Sequence, residues 1–304
     1  MPHSVTVQRW NHAAICTLNR PEKRNPISPA MRADLRTVLD DLRDISDVRS
    51  VILTGSGSAF CSGLDLDGLA AQSRLSPAEH AADSQSIADF FELIRTYPKP
   101  LIAAVNGPAV AGGCGLALLC DFTLAIPESF FSFSEVKIGF VPALVGVYLE
   151  RMAGAKVARD LLLTGRRVPA DEAQRMGLIS AVVPAAQLID AATKLAATLA
   201  QNGPEALKLT KDLLSRTSGQ PLNVALKLAV EVNAAARVTA ECGEGVAAFL
   251  AKRTAQWSVQ SPALTPSPSP KGRGEPSSPP LPSGEGPGVR ARAGVRARKR
   301  KSTG

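Results

Sequence analysis

Residues 101–121, LIAAVNGPAVAGGCGLALLCD, restrict what this chain can fold into more than any other stretch. Leu101–Val105 is an uncharged apolar run bounded by Pro100 and by Asn106-Gly107-Pro108. That pattern predicts a buried strand running into a tight turn. Gly112-Gly113 follows, and then an apolar segment, Leu116–Leu119, that predicts a buried helix. A glycine pair before a helix presents unpaired backbone N–H groups at the positive end of the helix dipole. Such a turn holds an anion, or an oxygen that gains negative charge during a reaction.

The chain is long enough, at 304 residues, to bury a large core in one or two domains. Only 4% of it is aromatic against 45% hydrophobic, so the core is built mostly from Ala, Leu and Val. No apolar run reaches the ~18 residues that a membrane span needs. The N-terminus lacks a basic region followed by a long apolar run, and it reads as two strands, not as a signal peptide. The five cysteines form no C-x-x-C pair, and no histidine lies near a cysteine pair, so no metal site is expected. Reduced cysteines in apolar surroundings fit the cytoplasm.

The net charge of +8 suggests nucleic acid until its distribution is read. From Ser258 onward there are nine Lys or Arg and two Glu, which leaves a net charge of +1 for everything before. The basic character therefore belongs to the tail. Residues 258–304 are rich in Pro, Ser, Gly and Arg, and the composition predicts disorder without a specific role.

Before the tail, β-rich runs at Ser4–Trp10 and Ala13–Asn19 flank a hairpin signal. Ser28-Pro29 is a helix start for a segment running to about Ile45, with apolar residues at helical spacing. Val51–Thr54 reads as a short buried strand. The 67–86 stretch has no firm periodicity and is expected to be a mobile surface segment, with a helix over Ala88–Tyr97. Strands are expected at Phe122–Ala125, Phe130–Phe133 and Ile179–Val183. Helices are expected at Val145–Met152, Lys156–Thr164 and Ala170–Met176, and then at Leu188–Ala200, Pro204–Arg216, Leu222–Arg237 and Glu241–Arg253. Strands alternate with helices to about residue 183 and only helices follow. That order predicts an α/β core with parallel strands and a helical C-terminal region. The Ala-rich stripe of Leu222–Arg237 needs cover, from the core or from another subunit.

Three acidic residues stand in apolar or glycine-rich places: Asp65 in CSGLDL, Asp121 after LALLC, and Glu135 in FSFSEVKIGF. Asp65 suits a helix cap and Asp121 a helix end. Glu135 lies between Phe133 and Val136, where desolvation raises a carboxyl pKa and makes it a better base near neutral pH. His3, His12 and His80 read as surface residues. The serine-hydrolase elbow G-x-S-x-G and the phosphate loop G-x-x-x-x-G-K-[ST] are both missing. Gly113-Cys-Gly115 is part of a dinucleotide fingerprint, but Leu118 occupies the third glycine position.

Six motifs then occur in order: LNRPEKRN from Leu18, AFCSGLDL from Ala59, VNGPAVAGGCGLAL from Val105, SEVKIG from Ser134, LLTGR from Leu162 and EGVAAFLAKR from Glu244. Together they resemble the crotonase, or enoyl-CoA hydratase/isomerase, superfamily over about residues 4–257. The resemblance implies a spiral of ββα units with a C-terminal helical trimerisation region: a core over 1–200, a helical oligomerisation and CoA-contact region over 201–257, and the tail over 258–304. It implies an acyl-CoA or enoyl-CoA thioester substrate, a homotrimer or homohexamer, and no cofactor beyond the coenzyme A of the substrate. By motif match, the backbone N–H groups of Leu64 and Gly112 form the oxyanion hole and Glu135 is the acid/base. Lys23, Arg24, Asn25, Ser62 and Asp65 fall where the family binds CoA. Phe249 and Lys252 match C-terminal CoA contacts, often from a neighbouring subunit. The sequence departs from the hydratase pattern in two places: Gly115 stands where a hydratase carries its first glutamate, and Val141-Pro-Ala-Leu-Val-Gly-Val replaces the usual glycine-rich PGxGG segment. With one carboxylate left, 2-enoyl-CoA hydration and Δ3/Δ2 double-bond isomerisation are both open. A non-catalytic thioester- or RNA-binding member is the alternative.

Overall fold

The structure is a computed structural model that describes residues 4–65, 68 and 75–257. The expectations for His3, for residues 67 and 69–74, and for 258–304 lie outside the described residues. In chain order the elements are β1 (Val5–Trp10), β2 (Ala13–Leu18), α1 (Pro29–Arg43), β3 (Ser50–Gly55), α2 (Pro77–Thr96), β4 (Leu101–Val105), β5 (Ala109–Val110), α3 (Gly112–Leu118), β6 (Phe122–Ala125) and β7 (Phe130–Ser132). They continue with α4 (Ala143–Thr164), β8 (Val168–Pro169), α5 (Ala170–Arg175), β9 (Ala181–Val182), α6 (Leu188–Ala200), α7 (Pro204–Thr217), α8 (Leu222–Arg237) and α9 (Ala240–Leu250).

The main sheet has the order β1-β2-β3-β4-β6-β9. Only the β1–β2 hairpin is antiparallel, and every later pair in this sheet is parallel. Parallel strands are covered on both faces, which is why β3 and β4 read as unbroken apolar runs. Alternate residues point to opposite sides. Val51, Leu53, Leu101, Ala103 and Val105 join the larger core with α1, α2 and α3. Ile52, Ile102, Ala104 and Leu124 pack instead on Leu188, Ala192, Ala196 and Leu199 of α6. A small second sheet, β5-β7-β8, sits at the exit of β4.

Several expectations are corrected. The helix expected at Ala88 begins at Pro77, eleven residues earlier and inside the stretch read as mobile. Ser76 and Glu79 form a reciprocal capping box there, and the Ser76-Pro77-Ala78-Glu79 spacing is its signature. The two helices expected at Val145–Met152 and Lys156–Thr164 are both present, parted by a kink at Gly154, whose φ of 79° breaks the helical path. The two-residue strands β5 and β8 are too short for a periodicity to reveal. The last helix ends at Leu250, not Arg253. No helix among the described residues is long and apolar enough to cross a membrane.

Candidate active site

The site is built at the carboxyl ends of the parallel strands. After β4, Asn106 accepts the Gly55 N–H at 3.0 Å and donates to the Gly57 carbonyl at 3.1 Å, which ties this turn to the end of β3. The chain then runs through β5 to Ala111, whose N–H donates to the Ser132 carbonyl at 2.7 Å. Ala111 holds φ 52° and ψ −124°, a conformation that L-residues avoid. This backbone turn swings the Gly112 N–H out at the start of α3.

A second segment lies alongside. Val110 donates to the Cys61 carbonyl at 2.9 Å, and Ile27 donates to the Gly63 carbonyl at 2.6 Å. The parallel bridge between Ile27 and Leu64 is made through Gly63, which leaves the Leu64 N–H outside the ladder. Gly63 has φ +85°, and a Cβ there would stand 2.7 Å from the Val110 oxygen and 3.2 Å from the Gly112 nitrogen. Only glycine allows so close an approach with this backbone. No hydrogen bond among the described residues takes up the N–H of Leu64 or of Gly112. Two backbone N–H groups without a partner among the described residues thus lie on neighbouring segments, joined by the close approach of Gly63 to Gly112.

Glu135 sits on the 3-10 turn Ser134–Ile138 that follows β7. Gly139, in the left-handed region, closes the turn, and Phe140 donates to the Glu135 carbonyl at 3.0 Å. The same β7 holds Ala111 through Ser132, so one short strand positions both Glu135 and the turn. The Glu135 side chain is buried at 8% exposure, and its Oε2 has no hydrogen-bond partner among the described residues. Burial raises its pKa above the ordinary 4.5, against a smaller lowering by its own backbone N–H. Burial also raises the Cys114 thiol, and the Glu135 charge adds to that shift, so the carboxyl lies near the first turn of α3. A buried carboxyl with an idle oxygen is suited to taking up and returning a proton.

The loop that carries Lys23, Arg24 and Asn25 is strapped to the same segment. Ser62 donates to the Arg24 carbonyl at 2.9 Å and its hydroxyl to the Lys23 carbonyl at 3.3 Å. Asn25 is spent inside: its amide donates to the Ser56 and Ala59 carbonyls, each at 2.9 Å, while its oxygen accepts the Arg20 N–H at 2.8 Å. Its side chain therefore shapes the loop. Asp65 pairs with Arg20 at 3.4 Å. Asp121 also has a framing role, accepting the Leu101 N–H at 2.7 Å and pairing with Lys211. Phe249 and Lys252 stand apart: α9 packs chiefly on α7 and α8, and Phe249 is 82% exposed. No group of three or more His, Cys, Asp or Glu that could hold a metal occurs among the described residues.

A profile of the enoyl-CoA hydratase/isomerase family matches residues 9–260. The chain belongs to that family. A Thermus thermophilus protein with the provisional name enoyl-CoA hydratase is 47% identical over 242 residues, covering 80% of this chain and 96% of the relative. The (E)-benzylidenesuccinyl-CoA hydratase of Thauera aromatica is 35% identical over 82% of this chain and 96% of its own. The crystal structure of a Bacillus anthracis enoyl-CoA hydratase superposes with a TM-score of 0.78 at 32% identity, over 84% of this chain and all of that one. The crotonase-type fold and an enzyme of the hydratase/isomerase class follow from these matches.

Sequence reading did not find the residues behind the turn. Gly115 lies one turn along α3 from Gly112, and a Cβ there would meet Val145 Cγ1 at 2.6 Å and the Phe91 ring at 3.2 Å. A Cβ on Gly112 would meet the same ring at 3.7 Å and Ile27 Cδ1 at 3.3 Å. Phe91 falls in the helix expected over Ala88–Tyr97, and nothing in the sequence tied it or Val145 to Gly115.

Proposed function

We propose that this enzyme moves the double bond of an enoyl-CoA thioester, with Glu135 as its one acid/base. The observation that carries this reading is the packing at Gly115. Phe91 and Val145 fill the space that a second carboxylate would need, and among the described residues Glu135 is the one buried carboxylate. Ionised Glu135 takes a proton from C2 of a 3-enoyl thioester. The electron pair moves toward the thioester oxygen, and the N–H groups of Leu64 and Gly112 stabilise the enolate. One such donor contributes about 3–4 kcal/mol to a transition state of this kind. The proton returns at C4, the double bond ends at C2–C3, and Glu135 is ionised again. No atom is gained or lost.

The backbone of Lys23–Asn25 with Ser62 is the candidate seat for the nucleotide end of CoA, with Asp65 holding the loop through Arg20. Phe249 and Lys252 reach a CoA only if another copy presents them. This fits a homotrimer or homohexamer, as does α8, which buries no residue within its own chain. The five unbridged cysteines support a reducing, cytoplasmic location. Hydration is the second reading, favoured by the names of the relatives. Incubation with 2-enoyl- and 3-enoyl-CoA esters in deuterated water, read by mass, separates the two. A shifted double bond with deuterium exchange is expected. Net addition of water would establish the hydratase reading instead.

A further inference from the structure

Close to the side chains around Gly115 lies a cavity of about 810 Å³, which neither Phe91 nor Val145 lines. That volume lies within the range of small-molecule pockets. The helices that back the oxyanion turn also wall this cavity: α2 contributes Ala88 and Glu92, α3 contributes Leu118, and α4 contributes Leu144 and Tyr148. Phe91 and Val145 come from the same turns of α2 and α4 but seal against Gly115, and they are buried at 1% and 5% exposure. Beyond them the Tyr148 hydroxyl donates to Glu92 at 2.5 Å, and Arg95 pairs with the same carboxylate at 2.6 Å.

An acyl group on this enzyme is fixed at two points, its oxygen at Gly112 and its reacting carbons at Glu135. Residues three apart share a helix face, so the chain beyond those carbons next passes Gly115. There it meets Val145 and Phe91. We infer that Val145, seated with Phe91 on Gly115, is the wall that limits acyl length, keeping the acyl subsite short and shut off from the cavity behind. This rests on the thioester reading above. The direction is diagnostic, because each added methylene ordinarily strengthens binding to an apolar pocket, whereas a wall reverses that trend.

The test is equilibrium binding of butyryl-CoA and decanoyl-CoA to the full chain and to Val145→Ala, with kcat/KM for enoyl esters of matching lengths. The wild type is expected to bind the butyryl ester at least tenfold more tightly. The alanine variant is expected to shift that ratio at least tenfold toward the decanoyl ester. A variant that weakens both esters equally, or a wild type that favours the longer one, overturns the wall and leaves the thioester reading standing. Binding of neither ester to the wild type overturns that reading and the wall with it. If Val145→Ala does not fold, Phe91→Leu shortens the same wall from α2 and is held to the same ratio.

Discussion

Glu135 is kept out of water with no partner for Oε2 among the described residues, and this fixes how its charge affects the fold. Its pKa is raised by burial from the ordinary 4.5. Between 4.5 and that higher value the folded state binds more protons than the unfolded one, so stability falls as pH rises through the window. Below it both states are protonated and the penalty is absent; above it the penalty is complete. Glu135→Gln cannot ionise. Its Tm relative to the wild type should therefore climb as pH rises from about 4.5 through the raised pKa. A Tm difference that is flat with pH would mean that the carboxylate is well solvated. Activity runs the opposite way, because a base must be ionised, and kcat/KM should rise with pH through the same raised pKa.

At the level of elements, α2 carries Phe91 into position behind the turn and depends on its start. The Ser76–Glu79 box satisfies donors that the first turn of any helix leaves open. Ser76→Ala should lower unfolding free energy by about 1 kcal/mol and speed amide exchange over the first turn of α2. An unchanged exchange pattern would show that the cap contributes nothing. This start was legible in Ser-Pro-Ala-Glu, yet the absence of a clear apolar stripe over 77–86 hid it, because most of those residues face solvent. The strands of the main sheet were legible for the opposite reason, since burial on both faces leaves apolar runs. From the residues alone the donors read only as a glycine-rich turn, and it was the resemblance to the family that pointed to Leu64 and Gly112. That Ala111 takes a positive φ, and that Gly63 lies against Gly112, depends on contacts between segments far apart in the chain.

On the scale of the whole molecule, α8 is the clearest unfinished surface. Leu222, Leu226 and Val230 recur every four residues, with exposures of 74%, 55% and 68%. A stripe of that kind on one helix face is covered in a stable protein. If copies of the chain supply the cover, Leu226→Glu should reduce the mass measured by light scattering to that of a single chain. A wild type that already runs as a monomer would show that the assembly is wrongly inferred. Whatever the assembly, the chemistry is assigned to one side chain. The most direct test is turnover and acyl-CoA affinity of Glu135→Gln with the preferred enoyl ester. The account predicts a fall in kcat of about 1000-fold or more, with the dissociation constant of an acyl-CoA changed by less than about threefold, since the proposed oxyanion donors and CoA loop are untouched. Turnover close to that of the wild type would contradict it.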